Sequence, residues 1–129
     1  MKKRKAKVRE PQVFPRWELG YLEVVEKEAR KLLTKDQYAH VIGLFDDLAC
    51  EVDPTKSQTQ DIRKIEDFYE LRDKGGILGN INLRVYFTVI GDIRVILALA
   101  VYKKEAESQT PEYIKARVRN RLREARRQL

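Results

Sequence analysis

Residues 68–104 read FYELRDKGGILGNINLRVYFTVIGDIRVILALAVYKK, and the division of this stretch decides the fold. Three runs rich in β-branched and aromatic residues are separated by breaks that contain glycine, which predicts a three-stranded antiparallel unit. In the first strand, about Phe68–Arg72, alternation puts Tyr69 and Leu71 on one face and Phe68, Glu70 and Arg72 on the other. Leu83–Ile90 alternates most clearly. Leu83, Val85, Phe87 and Val89 form an apolar face, and Arg84, Tyr86 and Thr88 form the opposite one. Gly91-Asp92 fits a two-residue hairpin turn, which would pair Ile90 with Ile93 and set Arg84 opposite Leu99. A bulge at the turn would shift this register. The run Ile93–Tyr102 is apolar on both faces, so it belongs in the middle of a sheet or under cover on both sides. Lys103-Lys104 mark its exit.

Working outward, residues 17–33 predict a helix, because Leu22, Val25, Ala29 and Leu32 recur at steps of three and four. Gly20 is a poor residue for its interior. Thr34-Lys35-Asp36-Gln37 matches a capping box. Tyr38, Val41, Ile42, Phe45, Leu48 and Ala49 then continue a stripe to about residue 50, giving an antiparallel helical hairpin. His40, the single histidine, falls at the edge of that stripe. Asp53–Gln60 (DPTKSQTQ) is a polar loop, after which Ile62 and Ile65 lead back into structure. Beyond the sheet, Thr110 suits an N-cap and Pro111 the first helical position. Ile114, Val118, Leu122, Ala125 and Leu129 make a narrow apolar stripe on a helix otherwise crowded with Lys and Arg. Residues 1–16 read as an irregular basic tail, with Val13-Phe14 a candidate edge strand. Residues 17–129 read as one domain.

The formal net charge of +7 is unevenly placed. Residues 1–9 carry six basic groups and no acid, and residues 115–129 carry seven basic groups and one acid. The rest of the chain holds 14 basic and 19 acidic groups. Basic clusters at both ends suit a polyanion such as nucleic acid or an acidic protein, or else simply solvate a tail and a helix face. No apolar run reaches the length of a membrane span, and the basic N-terminus has no apolar stretch behind it to make a secretory signal. Cys50, the single cysteine, has no internal disulfide partner and reads as a small buried hydrophobe, consistent with a reducing cytoplasm. One Cys and one His far apart predict no metal site and no nucleophilic triad. The segment KGGILGN lacks the GxxxxGK[ST] spacing of a phosphate-binding loop. No metal and no other cofactor is expected.

What remains is a cationic set. Arg72 and Arg84 are predicted on the same, non-core face of neighbouring strands, with Tyr86 near Arg84 and Lys103-Lys104 emerging beside them. Clustered Arg and Lys can hold a phosphodiester and stabilise a developing pentavalent phosphate. A lysine or a tyrosine can transfer protons without histidine, and an aromatic ring such as Tyr102 can stack a base. Taken alone, the residue pattern is met more simply by a plain anion-binding or solvated face.

The order of elements resembles the RelE/ParE toxin superfamily, and within it the HigB-like, phage-derived branch. The matching pieces are the helix TKDQYAHVIGLFDDLA, then FYELRD, LRVYF, the hairpin, the KK pair and TPEYIKAR, over roughly residues 19–121. The resemblance implies an α+β fold: a compact antiparallel sheet of three to four strands with the helical hairpin packed on one face, followed by a C-terminal basic helix. It implies the toxin of a type II toxin–antitoxin system, a metal-independent endoribonuclease that cuts mRNA on the ribosome by attack of the 2′-hydroxyl. A cognate antitoxin, mRNA and the ribosome would be its partners, without a membrane or a small-molecule cofactor, in the cytoplasm. Position by position, Arg72 matches the arginine that ends the ELR strand, Arg84 the one that opens the next strand, and Lys103 and Lys104 the lysine pair. Arg84 and Arg72 would bind phosphate, and Lys103, Lys104 or Tyr86 would move protons. Tyr102, Arg117 and Arg121 would contact RNA. The chain departs from the pattern in several places. Val101 stands where an aromatic residue is usual, Glu105 stands where threonine is common, and the segment EAESQ between KK and TP is long. Members of this superfamily differ, and some inhibit DNA gyrase and cut nothing. A non-enzymatic inhibitor and a non-catalytic nucleic-acid-binding module are therefore the alternatives.

Overall fold

The computed structural model describes residues 16–105 and 109–129. Residues 1–15 of the basic tail, with the candidate strand Val13-Phe14, lie outside the described residues. The element order is β1 (Glu18–Tyr21), α1 (Glu23–Leu32), α2 (Lys35–Ala49), β2 (Asp61–Lys64), β3 (Tyr69–Asp73), β4 (Leu83–Ile90), β5 (Val95–Lys103) and α3 (Glu112–Arg127). The strands form one five-stranded sheet in the order β1-β5-β4-β3-β2. β1 runs parallel to β5, and the other pairs are antiparallel.

The predicted three-stranded unit is the centre of this sheet, and the strand that is apolar on both faces, β5, lies between β1 and β4. Alternation along the strands separates two cores. Leu71, Val85, Phe87, Ile96 and Ala98 pack with Val25, Ala29, Val41, Phe45 and Leu48 of α1 and α2. Phe45 meets Phe87 edge-on, with ring centroids 5.7 Å apart. On the opposite face Phe68, Tyr86, Leu99 and Ala100 pack with Ile114, Val118 and Leu122 of α3. Burying each of those three α3 side chains contributes about 1.5–3 kcal/mol. The apolar stripe of the basic helix therefore packs on its own sheet, on the face away from the hairpin. The stripe ends before Leu129, which is exposed.

Three expectations change. Residues 17–33 are not one helix, because Glu18–Tyr21 forms β1 and α1 begins at Glu23. A Cβ added at Gly20 would stand 3.3 Å from Val95 Cγ1, so glycine is what lets β1 approach β5. The segment after the polar loop is also a strand, the short charged edge strand β2. Finally, Gly91–Arg94 is a four-residue connection containing a 3₁₀ turn, with Arg94 left-handed at φ 53°. The Arg94 guanidinium lies 4.5 Å from the Trp17 ring centroid, and its carbonyl accepts the Glu18 amide at 2.9 Å. These contacts offset the cost of that conformation. Ile90 then pairs with Val95. A bulge opposite Tyr86/Phe87 takes Leu99 out of the pairing, so Arg84 faces Tyr102 and not Leu99.

The capping box is present in full: Gln37 N–H donates to Thr34 Oγ1 at 3.1 Å, and Thr34 N–H donates to Gln37 Oε1 at 2.9 Å. Thr110 does not cap α3. Pro111 holds the N-cap position without a side-chain bond. The loop KGGILGN is tied down by Leu78, which is buried, while consecutive positive φ angles at Gly75 and Gly76 turn the chain. Cys50 is only half-buried and accepts a hydrogen bond from Arg16 Nη1 at 2.9 Å.

Candidate functional site

β3 and β4 bring Arg72 and Arg84 together as direct cross-strand partners. Both line an open polar hollow of about 360 Å³, with Asp61, Asp73, Lys74, Asn82 and Lys104 around them. The sequence left open which lysine of the pair belongs here, and the register decides it. Lys103 pairs with Leu83, whose side chain lies in the core beneath α1 and α2, and Lys103 itself is exposed. Lys104, one residue on, lines the hollow, and its amide donates to the Asn82 carbonyl at 2.8 Å. A simple two-residue hairpin would have given the opposite assignment.

The arginines are held differently. Arg72 donates through Nε to Glu70 Oε1 at 2.6 Å, and this bond raises its already high pKa further. Arg84 is buried and donates through Nη1 to Asn82 Oδ1 at 2.6 Å and to the Leu83 carbonyl at 3.0 Å. Its Nε is buried with no hydrogen-bond partner among the described residues and lies 3.7 Å from Glu70 Oε2. The acids at the rim have partners of their own: Asp73 bonds His40 Nε2 at 2.8 Å, and Asp61 accepts from Arg63 Nε at 2.8 Å. His40 thus sits at the edge of the stripe, as its spacing predicts, tied to a rim carboxylate.

Tyr86 lies on the same face as Arg84 but not in the hollow. It is completely buried under α3, edge-on to Phe68 at 6.1 Å between centroids. Its hydroxyl is 3.0 Å from Thr110 Oγ1. Burial pushes its pKa well above the ordinary phenol value. The non-core face of the sequence reading is therefore two regions, an open one at Arg72 and Arg84 and a covered one at Tyr86.

Tyr102 is half-buried beside Arg84 and meets Tyr113 of α3 edge-on, with centroids 6.5 Å apart. Tyr113 is 60% exposed, with Arg117 6.0 Å from its ring centroid. Arg121 is turned inward. It donates to both carboxylate oxygens of Glu28 on α1, at 2.9 and 2.5 Å, and to the Leu99 carbonyl at 2.9 Å. Burial pushes the Glu28 pKa up, but the Arg121 hydrogen bond and charge outweigh it and leave the carboxyl below its usual value. Much of the remaining charge on α3 is paired within the chain: Arg119 with Glu66 and Glu112, Arg126 with Asp67, and Arg127 with Glu124.

Sequence reasoning missed Glu70, Asn82 and Tyr113 as parts of this region. The face assignment carried a signal for Glu70, since alternation puts it beside Arg72. Nothing in the spacing tied Asn82 to Arg84. Among the described residues no three His, Cys, Asp or Glu side chains gather as they would to hold a metal ion, and no helix is long and apolar enough to cross a membrane.

No family model matches the chain, and no curated protein matches it. Solved structures do. The chain is similar to a mutant of the Escherichia coli toxin RelE in the free state, with a TM-score of 0.59 at 19% identity over 83% of this chain and 98% of that one. It is similar to the archaeal RelE–RelB complex from Pyrococcus horikoshii OT3, with a TM-score of 0.51 at 24% identity over 73% of this chain and 100% of the other. A third match is the E. coli RelE mutant bound to an antitoxin RelB peptide, with a TM-score of 0.50 at 22% identity over 79% and 95%. At these identities the likeness concerns architecture, and on that level it is plain: the chain has a RelE-like α+β fold.

Proposed function

We propose that this protein is the toxin of a type II toxin–antitoxin pair, of the HigB-like branch, and acts in the cytoplasm as a metal-independent endoribonuclease on ribosome-bound mRNA. The observation that carries this reading is the open hollow in which Arg72, Arg84 and Lys104 converge within a RelE-like fold. Two guanidinium groups suit the equatorial oxygens of a phosphodiester. In the proposed reaction the 2′-hydroxyl gives its proton to solvent water as its oxygen bonds to phosphorus, and the bond to the 5′-oxygen breaks as that oxygen takes up a proton. The products are a 2′,3′-cyclic phosphate and a free 5′-hydroxyl. Arg84 and Arg72 stabilise the added negative charge, and Lys104 is the proton-transfer group at the departing oxygen. Tyr102 and exposed Tyr113, with Arg117 at hand, offer a surface on which a base can stack. Tyr86, neutral and covered, holds α3 on the sheet, and Arg121 does the same through Glu28. Solved relatives described as RelE–RelB complexes support a cognate antitoxin as the protein partner.

Brief induction in cells, with 5′-end mapping of transcripts, tests the reading. New 5′ ends should appear within translated regions, and Arg84→Ala should abolish them along with growth arrest. DNA damage with intact transcripts would instead identify a gyrase inhibitor. Salt-sensitive polyanion binding without toxicity would identify a binding module.

A further inference from the structure

Beneath the two arginines lies a carboxylate to which the proposed reaction gives no task. Glu70 is 1% exposed. Its Oε1 accepts from Arg72 Nε at 2.6 Å, and its Oε2 accepts from Thr110 Oγ1 at 3.1 Å and stands 3.7 Å from Arg84 Nε. We propose that Glu70 is a positioning residue for the hollow. Its carboxylate fixes Arg72 and Arg84 as a working pair and, through Thr110, ties that pair to the segment that leads into α3. This rests on the endoribonuclease reading.

Three observations lead here. Arg72 and Arg84 are direct cross-strand partners, and two like charges at such positions repel each other and splay. A negative charge between them removes that tendency. The edge of each guanidinium is also chosen. Arg72 spends its Nε on Glu70, which leaves its two Nη groups, the edge that grips a phosphate in bidentate fashion. Arg84 is anchored by Nη1, and its buried Nε has Glu70 as the nearest opposite charge. Finally, burying an ionised carboxylate is expensive, and a well-packed apolar residue often serves stability as well or better. Stability alone is thus a weak reason for a carboxylate at this position. Thr110 extends the network, since its hydroxyl lies between Glu70 and the Tyr86 hydroxyl. Removing the Glu70 charge is therefore felt both at the arginines and at the entry to α3.

Glu70→Gln tests this in the full chain. Glutamine keeps the volume but has a single, uncharged acceptor oxygen, which cannot serve both Arg72 and Thr110 and holds Arg72 more weakly than a carboxylate does. It loses the charge and presents an N–H₂ group where Arg84 faced an oxygen. Two measurements are needed. In arginine Nε–H spectra of the wild-type protein, the Arg72 proton should be protected from exchange, and in Glu70→Gln it should exchange about 10-fold faster or more. In cleavage of ribosome-bound mRNA, kcat should fall about 30-fold while KM stays within about three-fold, as expected for misplaced catalytic groups. Val118→Ala, which loosens α3 from beneath without touching the hollow, serves as the control at matched melting temperature. The proposal is overturned if Glu70→Gln keeps both Arg72 protection and kcat, or if Val118→Ala loses as much kcat at equal stability. If the wild-type chain cuts no RNA, the endoribonuclease reading fails. Arg72 exchange then still decides whether Glu70 holds the pair.

Discussion

Tyr86 is the residue on which the site is most exposed to refutation, and Tyr86→Phe is the change to make. It removes one oxygen and leaves the ring against Phe68. The loss is one buried hydrogen bond, to Thr110 at 3.0 Å, which costs about 0.5–1.5 kcal/mol. For a domain of this size that lowers the melting temperature by about 2–6 °C. Thr110 keeps its bond to Glu70 at 3.1 Å, so the entry to α3 stays anchored. If Tyr86 only packs, RNA cleavage should stay within about three-fold of wild type, whereas under the proposed reaction Arg84→Ala should cost about 100-fold or more. The same variant gives a second reading at high pH. In the unfolded chain Tyr86 ionises near its ordinary value of about 10. In the fold, burial raises that value. Its contribution to stability is therefore fully present below about pH 10 and is lost as the pH rises from there through the folded value, at up to about 1.4 kcal/mol per pH unit. Chemical denaturation at a series of alkaline pH values should show wild type losing stability faster than Tyr86→Phe by that slope. A 100-fold drop in cleavage by Tyr86→Phe, at a melting temperature only a few degrees lower, would refute the reasoning. It would make the phenol a reacting group despite its cover.

Other outcomes follow from the same geometry. Lys104→Ala should reduce cleavage about 100-fold while Lys103→Ala stays within about three-fold, measured on one mRNA in translation extracts; the reverse ranking would mean that the β4–β5 register is wrong. Arg121→Gln should lower stability by about 2 kcal/mol, because it breaks half-buried charge-assisted bonds to Glu28. The Glu28 carboxyl is held below its usual pKa, so its contribution is present above about pH 4.5 and is lost as the pH falls through the folded value. Melting curves of wild type and Glu28→Gln should therefore converge in acid. Thr34→Ala removes the capping box and should cost about 1 kcal/mol in denaturant titrations with no change in toxicity.

The centre of the sheet was readable because its residues obey one local rule. In Leu83–Ile90 alternation names both faces without any tertiary information, and those faces are the ones observed. The capping box at Thr34 is equally local. The elements that sequence reasoning missed depend on partners distant in the chain. β1 hides inside a stretch whose Leu22, Val25 and Ala29 carry a true helical period, and its only warning was Gly20, whose meaning depends on Val95. Ile62 and Ile65 signal structure after the polar loop without giving its type, because DIRK, the strand β2, is a short edge strand with little to bury. The β4–β5 register failed through Arg94, since a left-handed arginine is uncommon enough that Gly91-Asp92 looked like the whole turn. Leu99 then bulges out of a run in which any apolar residue could have done so.

The same distinction explains why the candidate site was half legible. A period of two assigns a side chain to a face, and it assigned Arg72, Arg84 and Tyr86 to the same one. It carries no information about how far along the strand that face is covered. The cover is set by where α3 lands, and that depends on Ile114, Val118 and Leu122 meeting Phe68, Leu99 and Ala100. Tyr86 falls under that contact, and Arg84, two residues back along β4, falls at its edge. The two-residue step between them is about 6.6 Å of strand, which is enough to separate a packed phenol from an arginine that lines an open hollow. The lysine pair makes the same point with a single residue. Lys103 and Lys104 have the same chemistry, and the one-residue bulge at Leu99 decides which of them shares the face of the arginines, whereas the four-residue connection at Gly91–Arg94 shifts the register by two and leaves the face unchanged. A catalytic hypothesis drawn from residue types alone would treat them as interchangeable. The backbone does not, and that makes the paired lysine variants the sharper test of whether the hollow is where the chemistry occurs.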